Sequence, residues 1–89
     1  MYKAVLITTE GCEGCRIMRN ILEKAIYYLD KDITLEVADC KDKSVKKYIN
    51  LYNISDFPTT LLLRDKTVTF TWTGTYPIPV VKRWLEIHL

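Results

Sequence analysis

Two cysteines, Cys12 and Cys15, lie at the junction between two different hydrophobic patterns. Before them, residues 4–7 form a continuous apolar run, which is typical of a strand buried on both faces of a parallel sheet. After them, residues 16–29 repeat apolar side chains at helical spacing. The pair is therefore predicted at the first turn of a helix, where unpaired N–H groups and the helix dipole favour a thiolate.

The predicted helix carries its apolar side chains on one stripe, and Cys15 falls on that stripe. Cys12 precedes the helix and is expected at its exposed N-terminal end. Residues 33–38 then alternate and predict a second strand. Such a strand–helix–strand unit has a right-handed crossover and parallel strands. The stripe consists of Met18, Ile21, Leu22, Ala25 and Leu29.

A second helix is expected to begin at Asp42 or Ser44, because both residue types are good N-caps. It should end at Asn53, since asparagine tolerates the left-handed conformation that follows many helices. Its predicted buried side comprises Val45, Tyr48, Ile49 and Tyr52.

The last third of the chain predicts a hairpin and a helix. Residues 59–63 form a third strand, and residues 67–73 alternate strictly, as in an antiparallel, half-exposed strand. Gly74 breaks that strand, and Pro77 and Pro79 suit the start of a helix that runs to about His88. The order β-α-β-α-β-β-α belongs to the α/β class. The alternation places Val68, Phe70 and Trp72 on one face of the fourth strand.

The length, the net charge and the number of cysteines exclude several classes of protein. The 89 residues predict a single domain, 1–89, and a net charge of +2, evenly spread, does not suit nucleic-acid binding. No apolar run has membrane-spanning length and the first run is too short for a signal peptide, so we expect a cytoplasmic protein. Three cysteines suit one redox pair and a free thiol, Cys40, better than a disulfide framework.

Three segments, taken together, resemble the thioredoxin family. They are Cys12-Glu13-Gly14-Cys15, the stretch Phe57-Pro58-Thr59 that opens the third strand, and Gly74 after the last strand. The resemblance covers nearly the whole chain and is to the small, glutaredoxin-sized members. It implies a thioredoxin fold: a four-stranded mixed sheet of order 2-1-3-4 with three helices.

The chain departs from the family pattern at several positions. Gly11 stands where an aromatic residue is usual, and Leu6 replaces the family's buried acid. Asn20 replaces the proline that kinks the first helix, and Phe57 precedes the proline where a small or β-branched residue is usual.

The resemblance also implies a set of roles. Cys12 would be the nucleophile and Cys15 the resolving thiol of a redox-active disulfide, with no bound cofactor. Protein substrates carrying disulfides would bind at Gly11, at Phe57 with a cis Pro58, and at Gly74. The implied electron donor is a flavoprotein reductase, and we expect a monomer with no nucleic-acid or membrane partner.

Charged neighbours are predicted to tune Cys12. Glu10 and Glu13 disfavour a thiolate, whereas Arg16 offsets part of their effect. The dipeptide between the two cysteines, Glu13-Gly14, also differs from the family's Gly-Pro. We therefore predict a moderately lowered thiol pKa and a reductant rather than a strong oxidant.

Three other functions remain open. One is a glutathione-dependent glutaredoxin, although residues 74–77 keep only part of that family's glutathione-binding pattern. Another is a metal-binding module, but zinc usually takes four ligands, and beyond the pair only Cys40 and His88 exist, at no recognised spacing. We expect His88 to be solvated. The third is a scaffold that binds partners without redox activity.

Overall fold

The computed structural model describes all of residues 1–89, and its elements follow the predicted order β-α-β-α-β-β-α. A short 3-10 turn, Lys43–Val45, precedes the second α-helix. The elements are β1 Tyr2–Thr8, α1 Glu13–Tyr27, β2 Ile33–Asp39, α2 Lys46–Leu51, β3 Thr59–Arg64, β4 Thr67–Thr73 and α3 Ile78–His88.

The four strands form one mixed sheet in the order β2-β1-β3-β4, as predicted. β1 pairs parallel to β2, from Tyr2 opposite Ile33 to Thr8 opposite Asp39, and antiparallel to β3. β3 and β4 form the antiparallel hairpin. Because β1 and β2 are parallel, their carboxyl ends share one edge of the sheet, and the cysteine pair follows β1 there.

The central strand is buried on both faces, as its continuous apolar run predicts. Ala4 and Leu6 belong to a core cluster with side chains of α1 and α3, whereas Val5 and Ile7 belong to a second cluster under the 3-10 turn and α2. All four are at most 1% exposed. Burial of each larger side chain contributes about 1.5–3 kcal/mol, so β1 helps to anchor the edge that carries the site.

Val68 does not share a face of β4 with Phe70 and Trp72, so that part of the prediction is wrong. Leu62 pairs with Phe70 but Leu63 pairs with Val68, so the register shifts by one residue at a bulge containing Thr69. An extra residue in one strand reverses the side chains beyond it. Phe70 and Trp72 therefore pack with the first cluster and Val68 with the second.

The first helix begins and ends earlier than predicted. It starts at Glu13 rather than residue 16, because the Cys12 side chain caps it, and it ends at Tyr27 rather than residue 29. The stripe is otherwise confirmed, since Cys15, Met18, Leu22 and Ala25 are buried.

The second helix is shorter than predicted. Asp42 caps the 3-10 turn, accepting a 3.0 Å hydrogen bond from the Ser44 amide, and only six α-helical residues follow. Asn53 is left-handed, with φ 51°, as predicted. Tyr52 is 42% exposed, contrary to prediction, because the helix ends before it.

The expectation of a solvated His88 is wrong. Its ring stacks on Phe70, with centroids 3.9 Å apart and planes inclined by 8°. Phe70 also contacts Trp72 and Trp84, so the last turn of α3 is held against β4 by an aromatic cluster. None of the helices combines the length and the apolar character needed to cross a bilayer.

Candidate functional site

A disulfide joins Cys12 and Cys15, whose Cα atoms are 5.3 Å apart. The pair lies where the loop after β1 enters α1. Cys12 is partly exposed, while Cys15 is only 5% exposed and packs on the buried stripe of the helix. The two cysteines therefore differ in exposure, and Cys12 is the more accessible residue to a partner molecule.

Cys12 is the N-cap of α1 and its sulfur is the capping atom. The Cys15 amide donates a hydrogen bond to Cys12 Sγ at 3.0 Å, and the Cys12 backbone is extended, with φ −98° and ψ 103°. An N-cap acceptor of this kind satisfies a first-turn N–H group that has no partner in the helix. After reduction, the same donor and the positive end of the helix dipole favour negative charge on Cys12 Sγ.

Gly11 adopts a left-handed conformation, with φ +71°. A Cβ atom placed there would meet no heavy atom within 4 Å, so backbone conformation rather than space selects glycine. This accounts for the absence of the aromatic residue that the resemblance leads one to expect.

The loop before β3 approaches the disulfide through Pro58. The Phe57–Pro58 peptide bond is cis, and Pro58 is buried. A Cβ atom on Gly14 would lie 3.5 Å from Pro58 Cδ, which places this loop against the Cys-Glu-Gly-Cys turn. Gly74, with φ +101°, donates its amide proton to the Pro58 carbonyl at 2.8 Å. The structure thus brings together Gly14, Pro58 and Gly74, three of the predicted site residues.

Phe57 lies on the other side of this loop. Its half-buried side chain packs against the second core cluster, which contains Val45 and Leu61. Part of the ring therefore fills space under α2, and only the remaining surface is open to a partner.

Thr75 belongs to the site but was not predicted. Its hydroxyl donates a hydrogen bond to the Gly14 carbonyl oxygen at 3.4 Å, across a sequence separation of 61 residues. A Cβ atom on Gly14 would lie 3.3 Å from Thr75 Oγ1. The available signal was its position directly after Gly74, in the loop between β4 and α3.

Three charged residues surround the pair on the surface. Arg16 donates a hydrogen bond to the Glu13 carboxylate and forms an ion pair with it. Both side chains are more than two-thirds exposed, at 79% and 69%, so the pair adds little to stability. Glu10 is exposed and has no ion-pair partner.

The remaining candidate residues lie apart from the disulfide. Leu6 is fully buried in the first cluster, so no carboxylate occupies that position. Cys40 is a free, half-buried thiol, and its sulfur lies 3.7 Å from Thr9 Oγ1. No three side chains of His, Cys, Asp or Glu come close enough together to hold a metal ion.

The site is an open surface rather than a cavity. Two clefts lie along α1, one beside its exposed face and one against β2, and a third of about 150 Å³ lies beside Asp56 and Thr59. None of the three is lined by Cys12 or Cys15.

The comparisons with known proteins show the fold. No family model and no curated protein matches the chain. A solved structure described as that of a malarial protein has a TM-score of 0.78 at 18% identity, covering 100% of this chain and 98% of that one. A structure of thioredoxin-2, described as a component of the malaria parasite protein secretion machinery, has a TM-score of 0.81 at 17% identity, with 99% and 84% covered. The chain has a thioredoxin fold.

Proposed function

We propose that this protein is a thiol–disulfide oxidoreductase that reduces disulfides in other proteins through Cys12 and Cys15. The observation that carries the proposal is the capping geometry. The sulfur of a partly exposed cysteine at a helix N-terminus accepts the Cys15 amide at 3.0 Å, and it is bonded to the sulfur of a second, buried cysteine. This arrangement favours a reactive thiolate at one sulfur and protects the other.

In the first half-reaction, the Cys12 thiolate attacks one sulfur of the substrate disulfide. A Cys12–substrate disulfide forms, the substrate S–S bond breaks, and the displaced substrate sulfur leaves as a thiolate that takes a proton from solvent. The partial exposure of Cys12 permits this approach, and the Cys15 amide holds Cys12 Sγ in place.

In the second half-reaction, Cys15 loses its proton and attacks Cys12 Sγ. The Cys12–Cys15 bond forms, the mixed disulfide breaks, and the second substrate cysteine leaves reduced. Two electrons have then passed to the substrate. Because Leu6 occupies the place of the family's buried acid, the Cys15 proton goes to solvent or to the leaving substrate sulfur rather than to a carboxylate of this chain.

We further propose that the substrate chain lies across the open surface formed by Gly11, Phe57, Pro58 and Gly74. The absence of an enclosing cleft at the disulfide favours protein substrates. The oxidised protein would be recharged by a flavoprotein reductase. A half-buried free thiol, Cys40, is best tolerated in a reducing compartment, which supports a cytoplasmic location, and we propose a monomer.

An insulin-reduction assay tests this function. The wild type should accelerate the reduction of insulin by dithiothreitol, and Cys12→Ser should abolish the acceleration. Cys15→Ser should accumulate a mixed disulfide with substrate, detectable by mass spectrometry. Cys40→Ser is the matched control and should behave as the wild type. Equal rates for wild type and Cys12→Ser would contradict the proposal.

A second arm of the assay identifies the electron donor. Recharging by NADPH and a flavoprotein reductase should sustain turnover, whereas glutathione should not. Fast, selective reduction of a glutathionylated peptide would instead assign a glutaredoxin activity.

A further inference from the structure

A single peptide group links Thr75 to the sulfur of Cys12. The Gly14 carbonyl oxygen accepts the Thr75 hydroxyl at 3.4 Å, and the Cys15 amide nitrogen donates to Cys12 Sγ at 3.0 Å. This carbonyl and this amide are the two ends of the same Gly14–Cys15 peptide unit. The three groups therefore form one chain of hydrogen bonds that ends on Cys12 Sγ.

We propose that Thr75 is a positioning residue that stabilises the Cys12 thiolate through the Gly14–Cys15 peptide. Hydrogen bonds in series polarise one another, so a donor on the carbonyl oxygen makes the N–H of the same peptide a stronger donor. That N–H interacts more strongly with a thiolate than with a disulfide sulfur, because the thiolate is charged. Thr75 thus lowers the Cys12 pKa and shifts the redox equilibrium toward the dithiol.

The packing of two loops against the first turn of α1 maintains this contact. Gly14 has no side chain, and a Cβ atom there would lie 3.3 Å from Thr75 Oγ1 and 3.5 Å from Pro58 Cδ. Gly74 ties the loop that carries Thr75 to Pro58 through its 2.8 Å hydrogen bond. The glycine in the Cys-Glu-Gly-Cys turn therefore permits the close approach of Thr75 to the peptide that caps Cys12.

The expected size of the effect is modest. Cooperative strengthening amounts to about 10–30% per bond, which is a small part of the strength of a hydrogen bond to a charged group. The Thr75 bond is long, at 3.4 Å, so we expect a change of about two- to threefold in the redox equilibrium constant. For a two-electron couple this corresponds to about 9–14 mV.

The test compares Thr75→Val, which keeps the shape but removes the hydroxyl, with Thr75→Ser, which keeps the hydroxyl. Thr67→Val is the matched control, because it makes the same change at the exposed far end of β4. Each variant is equilibrated with reduced and oxidised glutathione at a pH above its measured Cys12 pKa. The Cys12 pKa is measured separately from thiolate absorbance.

Thr75→Val should shift the equilibrium constant toward the disulfide form by about two- to threefold. The Cys12 pKa should rise by about 0.3–0.5, because a factor of two to three in the stability of the thiolate corresponds to that change. Thr75→Ser and Thr67→Val should retain the wild-type values. An unchanged equilibrium and pKa in Thr75→Val would overturn the proposal, as would equal shifts in Thr75→Val and Thr75→Ser. The role of Thr75 rests on the proposed reductase function, but these two equilibria are measured without a protein substrate. Failure of insulin reduction by the wild type is therefore a separate result.

Discussion

The amide of Gly74 donates a 2.8 Å hydrogen bond to the carbonyl oxygen of Pro58. The bond joins the end of β4 to the loop that begins β3, next to the Thr59–Thr73 pair, whose hydroxyl oxygens are 2.9 Å apart. Two loops that are distant in sequence are thus held together beside the disulfide. Their relative position depends on a glycine at φ +101°.

Substitution of this glycine should strain the backbone without a steric clash. A Cβ atom at Gly74 would meet only the Tyr76 ring, at 3.9 Å, so Gly74→Ala isolates the cost of the positive φ. We expect a loss of about 1–2 kcal/mol in the free energy of unfolding, measured in urea. Gly14→Ala is the comparison, since Gly14 lies in α1 and does not need a positive φ. A Gly74→Ala variant as stable as the wild type would contradict this explanation.

The cap of the 3-10 turn makes a pH-dependent contribution to stability. Hydrogen bonds from the backbone and the side chain of Ser44 lower the pKa of Asp42 below its ordinary value of 3.8. A carboxylate with a lowered folded-state pKa stabilises the fold above its unfolded-state pKa, and that contribution disappears as the pH falls through the folded-state value.

Asp42→Ala should therefore lower the melting temperature at pH 7, and its difference from the wild type should shrink below pH 3.8. Asp42→Asn is the matched control, because its side-chain oxygen still accepts the Ser44 amide and does not titrate. A difference between Asp42→Ala and the wild type that stays constant from pH 7 to pH 2 would rule out the carboxylate as its cause.

Most of the fold was predictable because each element has a clear period. β1 is continuously apolar, α1 repeats at helical spacing, and the hairpin follows from a short polar turn. The bulge at Thr69 was not predictable, because apolar residues and threonines alternate in the sequence on both sides of it. This pattern does not show which residue is left out of the regular pairing. The stacking of His88 on Phe70 depends on where α3 crosses the sheet, which local sequence does not determine.

The same division holds for the site. Cys12, Cys15, Pro58 and Gly74 carry recognisable motifs, and the structure places them together. Thr75 entered the sequence analysis only within residues 74–77, as part of an incomplete glutathione-binding pattern. Its contact with Gly14 depends on how the loop after Gly74 folds back on the first turn of α1, and 61 residues separate the partners.

The stacked pair His88 and Phe70 should contribute to stability. Rings in contact contribute about 0.5–1.5 kcal/mol of stability beyond the effect of their buried area. His88→Ala should therefore lower the free energy of unfolding by at least about 0.5 kcal/mol. Ile87→Ala is the control on the same turn of α3, because Ile87 is 57% exposed. His88→Phe should retain most of the stability. Equal losses for His88→Ala and Ile87→Ala in urea unfolding would show that the stacking contributes nothing specific.

Gly14→Ala provides an independent route to the Thr75 contact. Alanine in a helix is favoured over glycine by about 0.5–1 kcal/mol, but its Cβ would lie 3.3 Å from Thr75 Oγ1. Thr75 is exposed and can move away, so the protein should stay folded while the 3.4 Å hydrogen bond is lost. Gly14→Ala should therefore shift the redox equilibrium toward the disulfide, as Thr75→Val does.

A double-mutant cycle separates this effect from a general disturbance of the turn. If both substitutions act by removing the same hydrogen bond, Thr75→Val should change the equilibrium constant with glutathione in the wild type but not in Gly14→Ala. Additive shifts in the double variant would mean that alanine acts on the disulfide directly, through the conformation of the turn. In that case Gly14 and Thr75 tune Cys12 independently. The cycle needs only the purified protein and a glutathione buffer, and circular dichroism confirms that all four forms are folded.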